Sequence, residues 1–149
     1  MAEINRQQLI ISLISAGDRP RLAGVDLSAL DMHRLDLEGS NLRGANMQAS
    51  NLQEAILRGI NGTGVNLKMA QLPYADLNGA NLTVADFSGA NLNGARLTTC
   101  NLSNAILNGA NLSGADLKGA NVSGVKFDQN TTWPDGKKGS AADPNTYTK

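Results

Sequence analysis

Apolar side chains recur every fifth residue from about Leu22 to Phe127 without a slip. The large apolar residue stands at Leu22, Leu27, Met32, Leu37, Leu42, Met47 and Leu52, and continues through Leu67, Leu77, Leu82, Phe87, Leu92, Leu102, Leu112, Leu117 and Val122 to Phe127; Gly62 is the one failure in this column. Two places earlier sits a small or apolar residue, as at Ala45, Ala75, Ala90, Cys100 and Ala120. Polar residues, mostly Asp or Asn, stand between the two. A period of five fits neither a helix at 3.6 nor a strand at 2. It fits a short extended piece, in which alternate side chains share a face, followed by a corner. Twelve of the 16 glycines, among them Gly24, Gly39, Gly79 and Gly119, fall at that corner. A type II turn needs positive φ at its third residue, which glycine supplies without steric strain. If every corner bends alike, Leu and Ala face inward and the chain coils around them.

These fives, such as Ala75-Asp76-Leu77-Asn78-Gly79 and Ala90-Asn91-Leu92-Asn93-Gly94, resemble the pentapeptide-repeat family, whose pattern is Ala-(Asp/Asn)-Leu-X-X. About twenty unbroken copies carry the resemblance. It implies an all-β fold: a right-handed quadrilateral β-helix with four repeats per coil. Handedness and the count of four come from the resemblance alone.

Three segments follow: an N-terminal capping helix and linker over 1–21, the repeat β-helix over 22–129, and a C-terminal cap and flexible tail over 130–149. Asn5 to Ala16 reads as a short α-helix with Asn5 as N-cap and Gly17 as its stop. Its stripe is Leu9, Leu13 and either Ile10 or Ile14. Solenoid ends need covering, because an end coil otherwise exposes strand edges and apolar core. Leu9 and Leu13 cap one end; Phe127 closes the last coil, with Trp133 folded over it as a lid. Val25, Leu30 and Leu35 take the small inward position in the first coils, a wider floor beneath the helix. Ile60 and Val65 are the neighbours available to fill the gap at Gly62. Lys137 to Lys149, small and polar, reads as a mobile tail.

With four repeats per coil, residues twenty apart stack. Asn41, Asn61, Asn81, Asn101 and Asn121 make one column and Thr63, Thr83, Ser103 and Ser123 another, read as stabilising ladders or as a flat binding surface.

Composition then narrows the function. Hydrophobic residues make up 41% but aromatics only 3%, which suits a narrow bore filled by Leu and Ala. Thirteen basic and 13 acidic residues net to zero, so nothing global attracts nucleic acid or an anionic membrane. No segment approaches the ~20 apolar residues of a transmembrane helix. A secretory reading of Leu9 to Ala16 is weak, the run being short and broken by Ser12 and Ser15. Candidate chemistry is sparse: His33, the one histidine, sits at an outward position, and Cys100, the one cysteine, at an inward one. Asp26, Asp31, Asp36, Asp76, Asp86 and Asp116 point outward on different sides, with no cleft to pair them. The sequon-like triplets at Asn81, Asn101 and Asn111, and the Asn-Gly pairs, are by-products of the repeat.

The resulting expectation is a non-enzymatic, cytoplasmic scaffold or protein-binding module with no cofactor and no metal, monomeric or paired end to end, and with an unknown protein partner. The alternative is drawn from the family: its quinolone-resistance members bind DNA gyrase by presenting an acidic rod of duplex-like size. Charge opposes it. A rod of about five coils at ~4.8 Å would have to imitate some fifteen duplex charges at one per ~1.7 Å.

Overall fold

The computed structural model describes residues 4–17 and 19–149. α1 spans Arg6–Ala16. Asn5 opens it with a capping box: its side chain accepts from the Gln8 amide while the Gln8 side chain accepts from the Asn5 amide, which satisfies two otherwise orphaned donors. Gly17, at φ 67°, ends it.

Thereafter the chain climbs in square coils. Parallel bridges join Arg21 to Asn41, Asp26 to Asn46, Asp31 to Asn51 and Asp36 to Ile56, then repeat with every pair twenty apart up to Ile106 and Lys126. Bridges five residues apart that pair with residues twenty apart require four repeats per coil. Only one residue per repeat bridges, because the chain turns a corner before a longer strand can form. Each repeat therefore makes few rung bonds, but they recur: Leu22 N donates to Asn41 O (2.8 Å), Gly24 N to Arg43 O (2.9 Å) and Asn41 N to Pro20 O (2.8 Å). Each corner closes with a bond such as Val25 N to Leu22 O (3.2 Å). The third corner residue has positive φ throughout, including nine places where it is not glycine, Val84 and Thr99 among them. There the coil imposes a conformation that β-branched residues resist.

The coil has four faces. The first comprises residues 21–24, 41–44, 61–64, 81–84, 101–104 and 121–124; the second, third and fourth begin at 26, 31 and 36 and recur every twenty. Inside, Leu42, Leu67, Leu77, Leu82, Phe87, Leu92, Leu102, Leu112 and Leu117 are all buried, none more than 2% exposed. A Cβ placed on Gly62 would lie 3.0 Å from Leu82 Cδ2 and 3.4 Å from Ile60 Cδ1. The gap is thus filled by Leu82 of the next coil together with Ile60; Val65 is not among the nearest atoms.

Both ends differ in kind. At the start, Leu9 is buried and Leu13, Val25 and Leu35 pack partly against the core; Ile10 is half-buried, and the Ile14 side chain lies outside the description. The Arg6 guanidinium donates to Asp31 O (2.8 Å) and His33 O (3.0 Å). Those are the carbonyls that a preceding coil's Leu and corner amides would satisfy, so one side chain stands in for a missing rung.

At the other end, Trp133 is not a lid. Asn111 bridges Thr132, twenty-one residues on, and Leu112 N donates to Thr132 O. One extra residue has entered the coil, and Trp133 takes the next place in the Met32-Leu52-Leu72-Leu92-Leu112 column, fully buried. The coil thus runs past residue 129, with Gly114 N donating to Pro134 O. Asp128 absorbs the insertion: its carboxylate accepts from the Gly109 amide (3.0 Å), where a backbone carbonyl serves in the other coils. Phe127, half-buried, meets the Trp133 ring edge-on at 5.0 Å. Nor is the stretch from Lys137 to Lys149 a free tail. A 3-10 turn over Pro144–Tyr147 brings Tyr147 flat against Trp133 at 5.4 Å, and Thr148 O accepts from Gly119 N (2.7 Å). Aromatic stacking on an otherwise bare indole face gives this small, polar segment its anchor.

Candidate interaction face

The outward residue before each Leu is Asp or Asn because of a local bond, repeated at sixteen positions from Asp26 to Asn121: its Oδ1 accepts from the amide two residues on, as Asp26 does from Ser28 (2.9 Å) and Asn121 from Ser123 (3.0 Å). This Asx turn satisfies an amide that faces outward beside the corner. The sequence reading missed it, although Asp/Asn-Leu-Ser/Thr is its signature. In several repeats the residue two on bears a hydroxyl that joins in: Thr63 and Thr83 Oγ1 donate to Asn61 and Asn81 Oδ1 at 2.9 and 2.7 Å.

This bond decides what each Asn has left to offer. Its oxygen takes one bond here, and the amide hydrogens are left over. On the second and third faces those hydrogens are used between coils: Asn46 Nδ2 donates to Asp26 (3.2 Å), Asn66 Nδ2 to Asn46 (3.1 Å), Asn51 Nδ2 to Asp31 (3.1 Å) and Asn91 Nδ2 to Gln71 (3.2 Å). The ladder expected at Asn41, Asn61, Asn81, Asn101 and Asn121 is absent from that column among the described residues. Each of these oxygens accepts from the amide two residues on within its own repeat, and none takes a bond from the Asn one coil above. The hydroxyls of Thr63, Thr83 and Ser103 likewise bond within their repeats and not to one another.

Charge is distributed just as unevenly. Asp26 and Asp86 lie on the second face, Asp31 and Glu54 on the third, and Asp36, Glu38, Asp76 and Asp116 on the fourth. Among the described residues, no acid lies on the first. The arginines on the acidic faces, and Lys68, are paired: Arg34 with Glu54 (2.9 Å), Arg58 with Glu38 (3.0 Å), Lys68 with Asp86 (3.3 Å) and Arg96 with Asp76 (3.6 Å). Arg6 reaches Asp31. The remaining arginines, Arg19, Arg21 and Arg43, are exposed and bond to no side chain among the described residues; Arg21 and Arg43 stand at the N-terminal end of the first face, and Arg19 just before it. There an open groove of about 720 Å3 is lined by Ala16, Arg19, Arg21, Gly39, Asn41, Gly59 and Asn61.

Reactive groups are spoken for. Cys100 is buried, and desolvation pushes its thiol up to about 12, so it stays protonated at neutral pH. His33 Nδ1 lies 2.8 Å from Asp31, and this hydrogen bond, more than any other influence, draws the Asp31 carboxyl below its usual value. Among the described residues, no group of His, Cys, Asp and Glu is arranged to hold a metal ion.

Comparison with known proteins agrees with the coil. The family model described as pentapeptide repeats matches in eight copies, over residues 21–59, 40–73, 66–104 and 97–129. A crystal structure of a pentapeptide repeat protein from the cyanobacterium Cyanothece 51142 is 26% identical, with a TM-score of 0.78 over 86% of this chain and 99% of that one. Another, from Nostoc PCC 7120, is 24% identical, with a TM-score of 0.61 over 83% and 96%. QnrB1, a plasmid-mediated fluoroquinolone resistance protein, reaches a TM-score of only 0.43 at 21% identity, over 75% of this chain and 64% of that one. No curated protein sequence matches.

Proposed function

Because the chain belongs to the pentapeptide-repeat family, we propose that it is a right-handed quadrilateral β-helix serving as a rigid, non-enzymatic scaffold that binds a partner protein. One observation carries this reading: an unbroken register turns the sequence into flat faces of regularly spaced side chains. Each face is held by rung bonds and Asx turns, so little order has to be gained on docking. Rigid surfaces of that kind lose less entropy on binding than loops do. The proposal takes the protein as cytoplasmic, and as monomeric or paired end to end.

The alternative, a DNA mimic directed at gyrase, needs a continuous acidic surface. Here Arg34, Arg58, Lys68 and Arg96 sit against the carboxylates that would provide it. Added to a gyrase supercoiling assay up to tens of micromolar, the purified protein is expected to leave the rate unchanged. Inhibition, or protection from quinolone-induced cleavage, would move it to the topoisomerase class. The scaffold reading has a separate test. Photo-crosslinkers placed in turn on each face in living cells should yield a discrete protein adduct from at least one, and silence from all four would contradict it.

A further inference from the structure

Deepening the scaffold reading, and resting on it, we propose that the first face is the docking surface and that its occupant is an acidic, extended segment of the partner protein. Three independent features converge there. Among the described residues, the arginines with no carboxylate partner are Arg21 and Arg43, at one end of this face, and Arg19, just before it, while every other arginine has a carboxylate within 4 Å. Among the described residues, the amide hydrogens of Asn41, Asn61, Asn81, Asn101 and Asn121 have no partner, while each of their oxygens accepts from the amide two residues on. Acidic side chains occupy each of the other faces and avoid this one.

The face is thus a column of hydrogen-bond donors about 4.8 Å apart with guanidinium groups at its foot. Donors in excess call for an occupant rich in acceptors. Guanidinium forks take a carboxylate through two parallel bonds, and the amide N–H groups donate to the acceptors that remain. The groove between α1 and the Gly39 and Gly59 corners is open and unobstructed by side chains at those corners, so it suits an extended chain. Around that corner Glu38 is paired with Arg58 at 3.0 Å, which offsets its charge beside the groove. Nucleic acid is the poorer occupant: three cations would release few counterions, and binding of that kind scales with the phosphates neutralised.

A fluorescein-labelled octaglutamate peptide titrated against the full chain at 50 mM salt should bind, weakening as salt rises. The triple variant Arg19→Ser, Arg21→Ser, Arg43→Ser should lose at least tenfold in affinity, whereas Arg96→Ser, on the fourth face, should stay within twofold. A second variant tests the amides separately. Asn61→Asp with Asn81→Asp keeps the Asx turn, as Asp26 and Asp86 do, but replaces donors with negative charge, so it should melt like the parent and bind the peptide at least tenfold more weakly. No binding by the parent, equal binding by all variants, or tighter binding of a twelve-residue oligothymidylate than of the peptide would each overturn the assignment. Such a failure removes this surface and its occupant only; the scaffold reading falls on silent crosslinkers at all four faces.

Discussion

Two buried serines show how a single hydroxyl decides its own worth. Ser40 and Ser50 both occupy the small inward position and are fully buried. Ser50 Oγ donates to Met47 O at 2.7 Å, whereas Ser40 Oγ has no partner. A buried hydroxyl without a bond costs about 1–3 kcal/mol. Alanine holds the same column two and four coils up, at Ala80 and Ala120. Ser40→Ala should therefore stabilise the protein by about 1 kcal/mol, and Ser50→Ala should cost about as much, both read by urea unfolding. A loss on Ser40→Ala would mean its hydroxyl is bonded after all. Val84 offers a second case. Its φ of 52° is a left-handed conformation that costs an L-residue roughly 1–2 kcal/mol. Val84→Gly should raise the melting temperature, although glycine is usually a destabilising choice. The sequence could not separate Ser40 from Ser50, since the period admits any small residue and only the third dimension shows which hydroxyl finds a carbonyl.

One coil up the array, contacts pass between residues twenty apart. Leu82 fills the space above Gly62. Leu82→Ala should cost about 2–5 kcal/mol, the usual range for a large-to-small core change. Gly62→Ala alone should destabilise by overpacking against Leu82 Cδ2, yet in the Leu82→Ala background it should restore part of the loss. Additive effects in that double-mutant cycle would deny the contact, since coupling is the mark of touching neighbours. At the first coil, Arg6→Ala should unfasten α1 and lower the protection of its amides from hydrogen exchange. Arg6→Lys should not rescue it, because one ammonium cannot reproduce a planar fork aimed at two carbonyls. The helix was legible from Asn5, Leu9, Leu13 and Gly17. The part played by Arg6 was not, since nothing local marks a side chain that bonds to backbone 25 and 27 residues away. Trp133 escaped for a different reason: a single inserted residue near Asp128 erases the period without ending the coil.

Across the molecule, the inward columns were legible because the period holds from Leu22 to Phe127, whereas the distribution of charge over faces needed the count of four. Asn46 and Asn61 look alike in sequence. Only stacking reveals that a carboxylate, Asp26, lies below the first and takes its amide hydrogen, while a neutral amide, Asn41, lies below the second and does not. Carboxylates give the molecule its acid response. Burial pushes the Asp86 carboxyl up, but bonds from the Ser88 hydroxyl and amide and from Lys68 outweigh it, leaving the group below its usual 3.8. Asp26 and Asp128 are lowered as well. A carboxyl that is more acidic in the fold than in the unfolded chain binds fewer protons in the native state. Its stabilisation is present above the unfolded value and disappears as pH falls through the folded one. Midpoints of urea unfolding should thus hold level from pH 7 to about 5 and fall below about pH 4; a rise in that acid range would contradict the Asx-turn account.

The most direct measurement of the central claim places a photo-crosslinking residue, in separate variants, at Thr63, Lys68, Pro73 and Asn78, which hold the same repeat position on the four faces of one coil. Each variant is irradiated with the octaglutamate peptide. The account predicts an adduct from position 63 alone, since only the first face combines unpaired guanidinium groups with free amide donors and lacks acids. Equal adducts from all four positions, or a dominant one from 68, 73 or 78, would contradict it.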